Sequence, residues 1–364
     1  MKILMLSSSL AAGGRERQVV SLIKSLTEKQ NIEITLILLF DNIFYEEVYD
    51  LPIKIEILHV KNTKDLTIFG KLNALFKIEK PDIIHAWDEY VAFYALFVAK
   101  KQNIPFINGS LRHGIVQLKP RQIIRSILYR FSPYIIANSH AGFKANLLKE
   151  NSTRFVLYNG IDEKFDKENQ NVSKLNLLSK HNVSCKSEII LLSVSRLHPY
   201  KDYFTVFKAL KELKIHGIEF KYLIIGEGST RKILEDSIIQ IGLEGDVFLL
   251  GKQKELERYY PLADIFIHSS KGEGCCNVIL EAMYGGVSVI ASNTGGTSEI
   301  VTAEYGRLFD YGDEKKLYNN LIELLNQEKR EQISLAAYNN FLNNYTFEVM
   351  AKKYLKIIDK IIGD

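Results

Sequence analysis

Short apolar runs alternate with helical patterns along most of the chain. In the first half, the runs that predict buried strands lie at residues 2–6, 34–40, 53–60, 81–87, 105–110, 134–139 and 155–162. Between them, apolar residues recur at helical spacing, as in residues 15–26, 66–80 and 90–101. Strands that alternate with helices favour a doubly wound α/β fold with a parallel sheet.

A second alternating series follows a polar stretch at residues 163–187, which predicts a linker. Its apolar runs lie at residues 188–195, 220–226, 247–251, 263–268, 287–291 and 306–309. The pattern therefore predicts two Rossmann-like domains, at residues 1–165 and 188–346. A final helix, residues 347–362, carries an apolar stripe and is expected to pack on a domain already built.

A strand, a glycine loop and a helix follow one another between residues 263 and 286. The loop, residues 272–274, and the start of the helix, residues 277–283, form an anion site because free N–H groups and the helix dipole face the loop. Glu273 and Glu281 would repel a phosphate, but they can accept hydrogen bonds from sugar hydroxyls. The pattern predicts a nucleotide-sugar site, and an ordinary turn with two solvated glutamates is the alternative.

Three other loops that follow predicted strands carry groups suited to phosphates or sugars. Arg196 offers a planar fork and Lys201 a point charge, both suited to a diphosphate, although two surface bases at a strand end are an equally good interpretation. Gly13 and Gly14 allow backbone N–H groups to approach a phosphate, but such a pair is more often an ordinary turn. His113 can donate or accept hydrogen bonds near neutral pH, and a surface loop histidine is the alternative.

The region of residues 269–301 resembles family 4 of the retaining glycosyltransferases, also called glycosyl transferases group 1. The family's E-x7-E motif falls on Glu273 and Glu281, and its second glycine turn falls on residues 293–301. The resemblance covers nearly the whole chain. It implies the GT-B fold, with two Rossmann-like doubly wound domains and an active site in the interdomain cleft. It also implies that the last helix, residues 347–364, crosses back to the N-terminal domain.

The resemblance implies roles for individual residues. His113 and Glu273 match catalytic positions that contact the transferred sugar, and Glu281 matches the position that takes the ribose hydroxyls. Arg196 and Lys201 would stabilise the departing nucleoside diphosphate by fixed charge. The base of the nucleotide is expected near residues 251–253. The donor-binding residues expected are Gly13, Gly14, Arg196, Lys201, Gly274, Cys275, Asn277, Val278 and Glu281.

Two positions depart from the family's pattern. Cys275 and Cys276 replace the usual Phe-Pro or similar pair, which bears on the shape of the loop. Asp202 stands where a glycine usually follows the lysine, and an aspartate there can cap the next helix. Three other histidines match no position of the family and are expected to be structural: His85, His140 and His198.

The sequence therefore predicts a retaining transferase that moves a hexose or N-acetylhexosamine from a UDP- or GDP-sugar to a saccharide or lipid-linked acceptor. Cell-surface polysaccharide or glycolipid assembly is the expected setting. No covalent intermediate, metal ion or other cofactor is expected, since the sequence carries no Asp-x-Asp run and no His/Asp ligand cluster. A nucleotide-sugar epimerase and a non-catalytic nucleotide-sugar-binding partner stay open. A dehydrogenase is disfavoured, because Ala11 and Glu16 break the G-x-G-x-x-G pattern.

Composition adds the expected compartment. The chain has 364 residues, 46% of them hydrophobic and 25% charged, which suits a soluble protein of two domains. Three cysteines make no disulfide framework, and the N-terminal run is too short for a secretory signal, so a cytoplasmic protein is expected.

Charge is concentrated in residues 90–149, which hold nine lysines and arginines and no acidic residue. Residues 121–130 predict a basic amphipathic helix, a pattern typical of membrane-surface elements, although a solvated helix face is the alternative. The expected membrane or acceptor face contains Lys119, Arg121, Arg125 and Arg130. Peripheral docking on the cytoplasmic side of an anionic membrane is therefore expected. Nucleic acid is not expected, because no aromatic-basic motif supports it.

Overall fold

The computed structural model describes residues 1–29, 31–112, 120–162, 174–181, 183 and 189–363. The chain folds into two compact units, Met1–Gly160 with Thr346–Asp364, and Ile161–Tyr345. The sequence alone places the corresponding domain ends at residues 165 and 346.

The N-terminal unit contains seven parallel strands in the order β3-β2-β1-β4-β5-β6-β7. They are β1 (Lys2–Ser7), β2 (Glu33–Leu38), β3 (Lys54–Ile57), β4 (Ile83–Ala86), β5 (Phe106–Leu111), β6 (Tyr134–Ala137) and β7 (Arg154–Val156). In β1, Ile3 lies opposite Ile34 of β2 and Ile83 of β4. Its apolar side chains are buried on both faces of the sheet, as in sheets that helices cover on both sides.

Helices cover the two faces of this sheet. They are α1 (Gly14–Thr27), α2 (Thr67–Glu79), α3 (Glu89–Gln102), α4 (Pro120–Phe131) and α5 (His140–Ala145). Helix α1 packs on the face that carries Ile3 and Met5, whereas α2 and α3 pack on the face that carries Leu4 and Leu6. The alternation along one strand therefore supplies two separate cores.

The C-terminal unit repeats this plan with six parallel strands in the order β10-β9-β8-β11-β12-β13. The strands are β8 (Ile189–Val194), β9 (Phe220–Ile225), β10 (Val247–Gly251), β11 (Ile265–His268), β12 (Ser288–Ser292) and β13 (Arg307–Phe309). The helices are α6 (Lys174–Ser179), α7 (Tyr203–Ile215), α8 (Arg231–Gln240), α9 (Asn277–Tyr284), α10 (Thr297–Ile300), α11 (Glu314–Leu324) and α12 (Gln327–Asn344).

The last helix, α13 (Phe347–Gly363), belongs to the N-terminal unit. Its stripe of Met350, Tyr354 and Ile358 is buried in the same core as Ile3 and Met5. The helix therefore completes the cover of one face of the N-terminal sheet.

The predicted α/β architecture with two parallel sheets is confirmed, and the differences concern element ends. The strand expected at residues 53–60 is reduced to β3, because an edge strand pairs on one side only and β2 ends opposite Ile57. The expected linker, residues 163–187, contains α6 in its described part. Leu177, Leu178 and Val183 are buried there, so the described part, residues 174–181 and 183, packs against the unit.

Each sheet reverses its strand order at one place. In the N-terminal unit the reversal lies between β1 and β4, and in the C-terminal unit it lies between β8 and β11. Ligands of open α/β sheets bind outside the carboxyl ends of the strands at such switch points. The loops that follow β1, β4, β8 and β11 are therefore the places to look for a site.

Within the described part of the chain, none of the helices is both long and apolar enough to pass through a membrane.

Candidate functional site

The loop after β8 carries the two expected cations. Arg196 is exposed, whereas only 15% of the Lys201 side chain is exposed. Asp202 caps α7, because its carboxylate accepts hydrogen bonds from the Thr205 N–H at 3.3 Å and from the Thr205 hydroxyl at 2.6 Å. The cap predicted for Asp202 is confirmed, and it fixes the chain directly after Lys201.

The loop after β11 carries the carboxylate that meets this cation. Lys201 Nζ lies 2.5 Å from Glu273 Oε1, and the Ser270 hydroxyl donates to the same oxygen at 3.1 Å. The two residues stand 72 positions apart in the sequence, and the switch point brings their loops together. About a third of the Glu273 side chain (31%) is exposed, so the pair is accessible.

The electrostatics of this pair keep Glu273 ionised. Burial raises the pKa of the Glu273 carboxyl, but its interactions with Lys201, His268 and the Ser270 hydroxyl together outweigh burial, and the pKa ends below its ordinary value. An ionised carboxylate accepts hydrogen bonds only. Glu273 is therefore suited to hold hydroxyl groups, and Lys201 is suited to hold an anionic oxygen beside it.

A second glycine turn fixes the backbone of the Glu273 loop. The Gly296 N–H donates to the Glu273 carbonyl oxygen at 2.9 Å. Gly295 has a φ of 56°, and a Cβ at this position would overlap the same carbonyl oxygen. Only glycine fits this turn without strain, since it has no side chain to clash and tolerates positive φ.

A buried histidine and a cysteine lie beneath the ion pair. Burial, with the charge of Lys201, lowers the pKa of His268 to about 3, so this imidazole is neutral. The Cys276 sulfur lies 3.5 Å from His268 Nε2, and burial raises the pKa of its thiol to about 12. Cys275 and Cys276 are both buried, and neither forms part of a disulfide. A thiol held in this state is not a nucleophile, because the thiolate is the reactive form.

The other donor-side residues surround the start of α9. Gly274 and Cys275 are buried directly before the helix, and Asn277 and Val278 are half-buried in its first turn. Glu281, one turn further, is 2% exposed.

Glu281 is bound by Tyr260, a residue that the sequence did not identify as part of the site. The Tyr260 hydroxyl donates to Glu281 Oε2 at 2.6 Å. Gly285 leaves room for Tyr260, because a Cβ at position 285 would approach the Tyr260 Cβ to 2.6 Å. Glu273 and Glu281 therefore hold different partners.

The region expected to receive the base is built around glycines. Gly251, at the end of β10, has a φ of 70°, and its carbonyl oxygen accepts from the Gly226 N–H at 2.9 Å. Glu227 forms an ion pair with Arg231 close to Gly251. A Cβ on Gly228 would overlap a carbonyl oxygen of the loop after β8. The glycines flanking Glu227 are a sequence signal that could have identified this turn.

The glycine pair of the N-terminal unit has a different neighbour. Helix α1 begins at Gly14, and Gly13 is extended with a φ of −174°. The Tyr45 hydroxyl donates to the Gly13 carbonyl oxygen at 2.9 Å. The Glu16 carboxylate lies against Gly13 and pairs with Arg15. A carboxylate thus lies at the helix N-terminus where the sequence predicts a phosphate.

The expected catalytic His113 and the expected basic Lys119 lie outside the described residues. Arg121 belongs to α4, but its side chain also lies outside the description. The Arg125 guanidinium forms a two-point ion pair with Glu89 of α3, one contact being 2.5 Å, so folding brings an acid that stands 36 positions away onto the basic helix. The place of Arg125 on a membrane or acceptor face stays a prediction. Arg130 is exposed, as expected.

The three histidines expected to be structural have separate settings. His85 is fully buried and meets the Tyr354 hydroxyl at 3.1 Å through Nδ1. His140 pairs with Glu150 at 2.8 Å on the surface. The His198 ring stacks on Tyr200, with centroids 5.0 Å apart.

Among the described residues, no group of three or more His, Cys, Asp or Glu side chains is arranged to hold a metal ion. The chemical groups that this part of the chain assembles at a switch point are one ammonium and one part-exposed carboxylate. Such a pair can hold an anionic diphosphate and a sugar hydroxyl side by side.

Known families and proteins match the chain over most of its length. The family model described as "Glycosyl transferases group 1" matches residues 177–340, and the one described as "Glycosyltransferase Family 4" matches residues 12–165. The Campylobacter jejuni N-acetylgalactosamine-N,N'-diacetylbacillosaminyl-diphospho-undecaprenol 4-alpha-N-acetylgalactosaminyltransferase is 26% identical over 373 aligned positions, and the alignment covers 97% of this chain and 94% of that protein.

Two further proteins are similar. The Staphylococcus aureus capsular polysaccharide biosynthesis glycosyltransferase CapM is 24% identical over 319 residues, which cover 81% of this chain and 83% of that protein. The crystal structure of Anabaena HepE in complex with UDP superposes with a TM-score of 0.82 at 20% identity, covering 99% of this chain and 100% of that one. At this identity the superposition shows the GT-B fold alone.

The two family models together span most of both units, and they agree with the fold and with the residues at the C-terminal switch point. The chain belongs to the group 1 glycosyltransferases.

Proposed function

We propose that the protein transfers a hexose or N-acetylhexosamine from a UDP- or GDP-sugar to a saccharide or lipid-linked saccharide acceptor. The observation that carries the proposal is the ion pair of Lys201 with Glu273 at the C-terminal switch point. It puts a cation that can bind the diphosphate next to a carboxylate that can bind the sugar hydroxyls. A nucleotide-sugar donor presents both of these groups.

In this proposal the cations do the chemical work on the leaving group. Arg196 and Lys201 hold the diphosphate and stabilise the negative charge that develops on it as the sugar leaves. Fixed charges in a preorganised site need no reorganisation during the reaction. Because these two side chains supply positive charge, the reaction is proposed to proceed without a metal ion, and full activity in the presence of a chelator is the expected result.

The sugar side is proposed to follow the family's retaining chemistry. Glu273 is proposed to orient the transferred sugar, and His113, which matches the family's sugar-contacting position, is proposed to contact it. Glu281, with Tyr260 bound to it, takes the ribose hydroxyls. The acceptor hydroxyl is proposed to attack the face from which the diphosphate departs, with no covalent enzyme intermediate. Detection of a glycosyl-enzyme adduct by mass spectrometry would contradict this.

The names of the relatives support the choice of acceptor. The C. jejuni relative is named for a lipid-diphosphate-linked saccharide, and CapM is named for capsular polysaccharide biosynthesis. We place the reaction in cell-surface polysaccharide or glycolipid assembly on that basis.

The test is a transfer assay with purified protein, UDP- and GDP-sugars, and lipid-linked or free saccharides, with products identified by mass spectrometry. A product one sugar larger than the acceptor, with the anomeric configuration of the donor by NMR, is expected. A Lys201→Met variant serves as the matched inactive control. Isomerisation of the donor without acceptor would instead indicate an epimerase. Donor binding without any reaction would indicate a binding partner.

Peripheral contact with an anionic membrane is part of the proposal. Phe93 and Phe97 lie one turn apart on α3, and both are exposed. Ile127 and Phe131 are exposed on α4, which also presents the exposed cation Arg130. Amphipathic surfaces with apolar and basic groups side by side bind anionic bilayers at the headgroup level.

Sedimentation with phosphatidylcholine vesicles containing phosphatidylglycerol at low salt tests this contact. The double variant Phe93→Ser with Phe97→Ser should sediment less than the wild type. Phe204→Ser, which removes an exposed aromatic of the C-terminal unit, is the matched control and should sediment like the wild type. Failure of the wild type to sediment would contradict membrane contact and leave the transferase proposal intact.

A further inference from the structure

An aromatic cluster of Tyr354, His85 and Trp87 lies beneath the carboxyl edge of the N-terminal sheet. Tyr354 comes from α13, His85 from β4, and Trp87 directly follows β4. The Tyr354 and His85 ring centroids lie 5.5 Å apart at 21°, and those of His85 and Trp87 lie 4.7 Å apart at 32°. The cluster thus runs from the last helix of the chain to the N-terminal switch point.

The cluster supports one cation. The Arg112 guanidinium carbon lies 4.3 Å from the centroid of the Trp87 ring. Its Nε donates to the Gly109 carbonyl oxygen at 3.1 Å, and its Nη1 donates to Asn159 Oδ1 at 3.4 Å. A ring face attracts a guanidinium electrostatically, and the two hydrogen bonds fix its rotation. The side chain is therefore held by a ring, a backbone oxygen and an amide.

The cluster is built from aromatic rings that carry polar atoms, although it is buried. Tyr354 and His85 are fully buried, and Trp87 is 1% exposed. Nε2 of His85 and Nε1 of Trp87 are buried without a hydrogen-bond partner among the described residues. Leaving such groups unpaired costs stability, and each case calls for an explanation other than packing.

The surroundings of His85 keep its ring uncharged. Burial, together with the positive charge of Arg112, holds the pKa of His85 well below its ordinary value, so the ring stays neutral. A neutral ring between Tyr354 and Trp87 avoids repelling the cation that the cluster supports. The His85 ring also occupies the space where Gly109 would carry a Cβ, so it shapes the end of β5 directly before Arg112.

The position of Arg112 is a ligand position. Trp87 lies at the reversal of strand order between β1 and β4, and its backbone N–H donates to the carbonyl oxygen of Leu6 at 2.9 Å. Arg112 follows β5, the next strand of the sheet. Ligands of such sheets bind outside the carboxyl ends of these strands. A planar guanidinium at that edge matches the geometry of a phosphate better than an ammonium does.

We propose that Arg112 is an acceptor-side residue that binds a phosphate group of the acceptor, and that Tyr354, His85 and Trp87 are positioning residues that hold its guanidinium. The proposal rests on the proposed transferase function, and it specifies that function by giving the acceptor an anionic phosphate. The phosphate can belong to a lipid diphosphate or to a water-soluble sugar phosphate.

Calorimetry on the full chain tests the proposal, with a saturating concentration of whichever of UDP and GDP binds, so that the donor-side cations are occupied. Farnesyl diphosphate is the probe for a lipid-borne phosphate, and inorganic pyrophosphate is the probe for a soluble one. Arg112→Gln is expected to weaken binding about tenfold or more, since a charge-assisted hydrogen bond contributes about 1.5–3 kcal/mol. The affinity of Arg112→Lys for the probes should lie between those of the wild type and Arg112→Gln. Lys77→Gln, which removes an exposed cation of α2, is the control and should bind like the wild type.

Binding of both probes supports recognition of phosphate from either source, and binding of farnesyl diphosphate alone supports a lipid-borne acceptor. The proposal is overturned if Arg112→Gln binds the probes as tightly as the wild type, or if the nucleotide-loaded wild type binds neither. Absence of binding of both UDP and GDP would count against the transferase proposal instead, so the two failures are distinguishable.

The positioning role has its own variants. Trp87→Leu removes the ring, whereas Trp87→Phe keeps an aromatic face, so the leucine variant should bind the phosphate probe several-fold more weakly than the phenylalanine variant. Tyr354→Phe keeps the ring and removes the hydroxyl that meets His85, which makes it a milder change in case Trp87→Leu fails to fold. A merely structural cluster would lower the melting temperature in these variants and leave the affinity of the folded protein for the probe unchanged.

Discussion

The two switch points have the same topology and different chemistry. In each unit, a carboxylate that follows the strand beyond the reversal meets the loop of the strand before it. In the C-terminal unit Glu273 meets the Lys201 ammonium and stays part-exposed. In the N-terminal unit Asp88 is 2% exposed and accepts hydrogen bonds from the Ser8 N–H at 2.6 Å and the Ser8 hydroxyl at 2.7 Å.

The difference teaches how one fold divides structural from chemical carboxylates. Asp88 also caps α3 through the N–H groups of Tyr90 and Val91, so neutral donors engage it on several sides. Glu273 is held by one cation and one hydroxyl and remains accessible. A carboxylate saturated by backbone donors stabilises its loop, whereas an accessible one beside a cation can exchange protein contacts for those of a ligand.

Removing the Lys201 cation should have the largest effect on activity. Lys201→Met should lower kcat/KM for transfer about 100-fold or more, because one preorganised charge at the leaving group is lost. The melting temperature should change little, since the Ser270 hydroxyl remains on Glu273. Steady-state kinetics measure the effect. Near wild-type kcat/KM would mean that the diphosphate binds elsewhere.

The structural carboxylate should give the opposite result. Asp88→Ala removes a helix cap, worth about 1 kcal/mol, and leaves the Ser8 N–H without its acceptor, worth about 1–3 kcal/mol. A loss of about 3 kcal/mol in the free energy of unfolding is expected by urea denaturation, with unchanged affinity for UDP. Asp88→Asn keeps the shape of the side chain, so its free energy of unfolding should fall by less. If Asp88→Ala retains wild-type stability and loses UDP binding, the assigned roles of the two switch points are reversed.

The histidines sharpen the comparison, because each unit buries a neutral one beside its cation. The pKa of His268 is about 3 in the folded protein and about 6.5 in an unfolded chain. The unfolded state therefore binds more protons below pH 6.5, so stability falls as the pH falls from about 6.5 towards 3.

Between pH 7.5 and pH 5 this effect amounts to about 2 kcal/mol for one histidine. A His268→Gln variant should lose that much less than the wild type over the same interval, measured by urea denaturation at the two pH values. His85→Gln should behave in the same direction in the N-terminal unit, since the pKa of His85 is also lowered. Equal pH dependence of wild type and variants would show that these imidazoles are not buried in the neutral form.

The smallest expected effect concerns the cap next to Lys201. Asp202→Ala should cost about 1 kcal/mol of unfolding free energy, because the first turn of α7 loses its acceptor. Asp202→Asn should recover most of this loss, since asparagine caps about as well. A larger fall in kcat/KM than in stability is also expected, because the cap fixes the loop that carries Lys201. Thermal melts and kinetics on the same preparations separate the two effects.

The sequence predicts the fold well because its signal is local. Each apolar run is long enough to be buried, and the intervening stripes have helical spacing, so strands and helices follow from neighbouring residues. The cap at Asp202 is equally local. The described part of the expected linker shows the limit, since Leu177 and Leu178 become a buried helix face only when the rest of the unit is present.

The partners at the site follow from strand order, which the sequence does not state. Lys201 and Glu273 are each recognisable, but their contact depends on β8 and β11 being neighbours. The same holds for Tyr260 on Glu281 and for Glu89 on Arg125. The basic helix illustrates the consequence, because a charge count along the chain overlooks an acid that folding brings to it.

The affinity of the wild type and of Lys201→Met for UDP and GDP, measured by calorimetry with and without EDTA, decides whether this ion pair marks the donor site. We expect that one of the two nucleotides binds the wild type and that EDTA leaves the binding unchanged. Lys201→Met should bind that nucleotide at least about tenfold more weakly, as expected for loss of a charge-assisted contact. Equal affinity of the two proteins, or no binding of either nucleotide to the wild type, would contradict the claim that this ion pair marks the donor site.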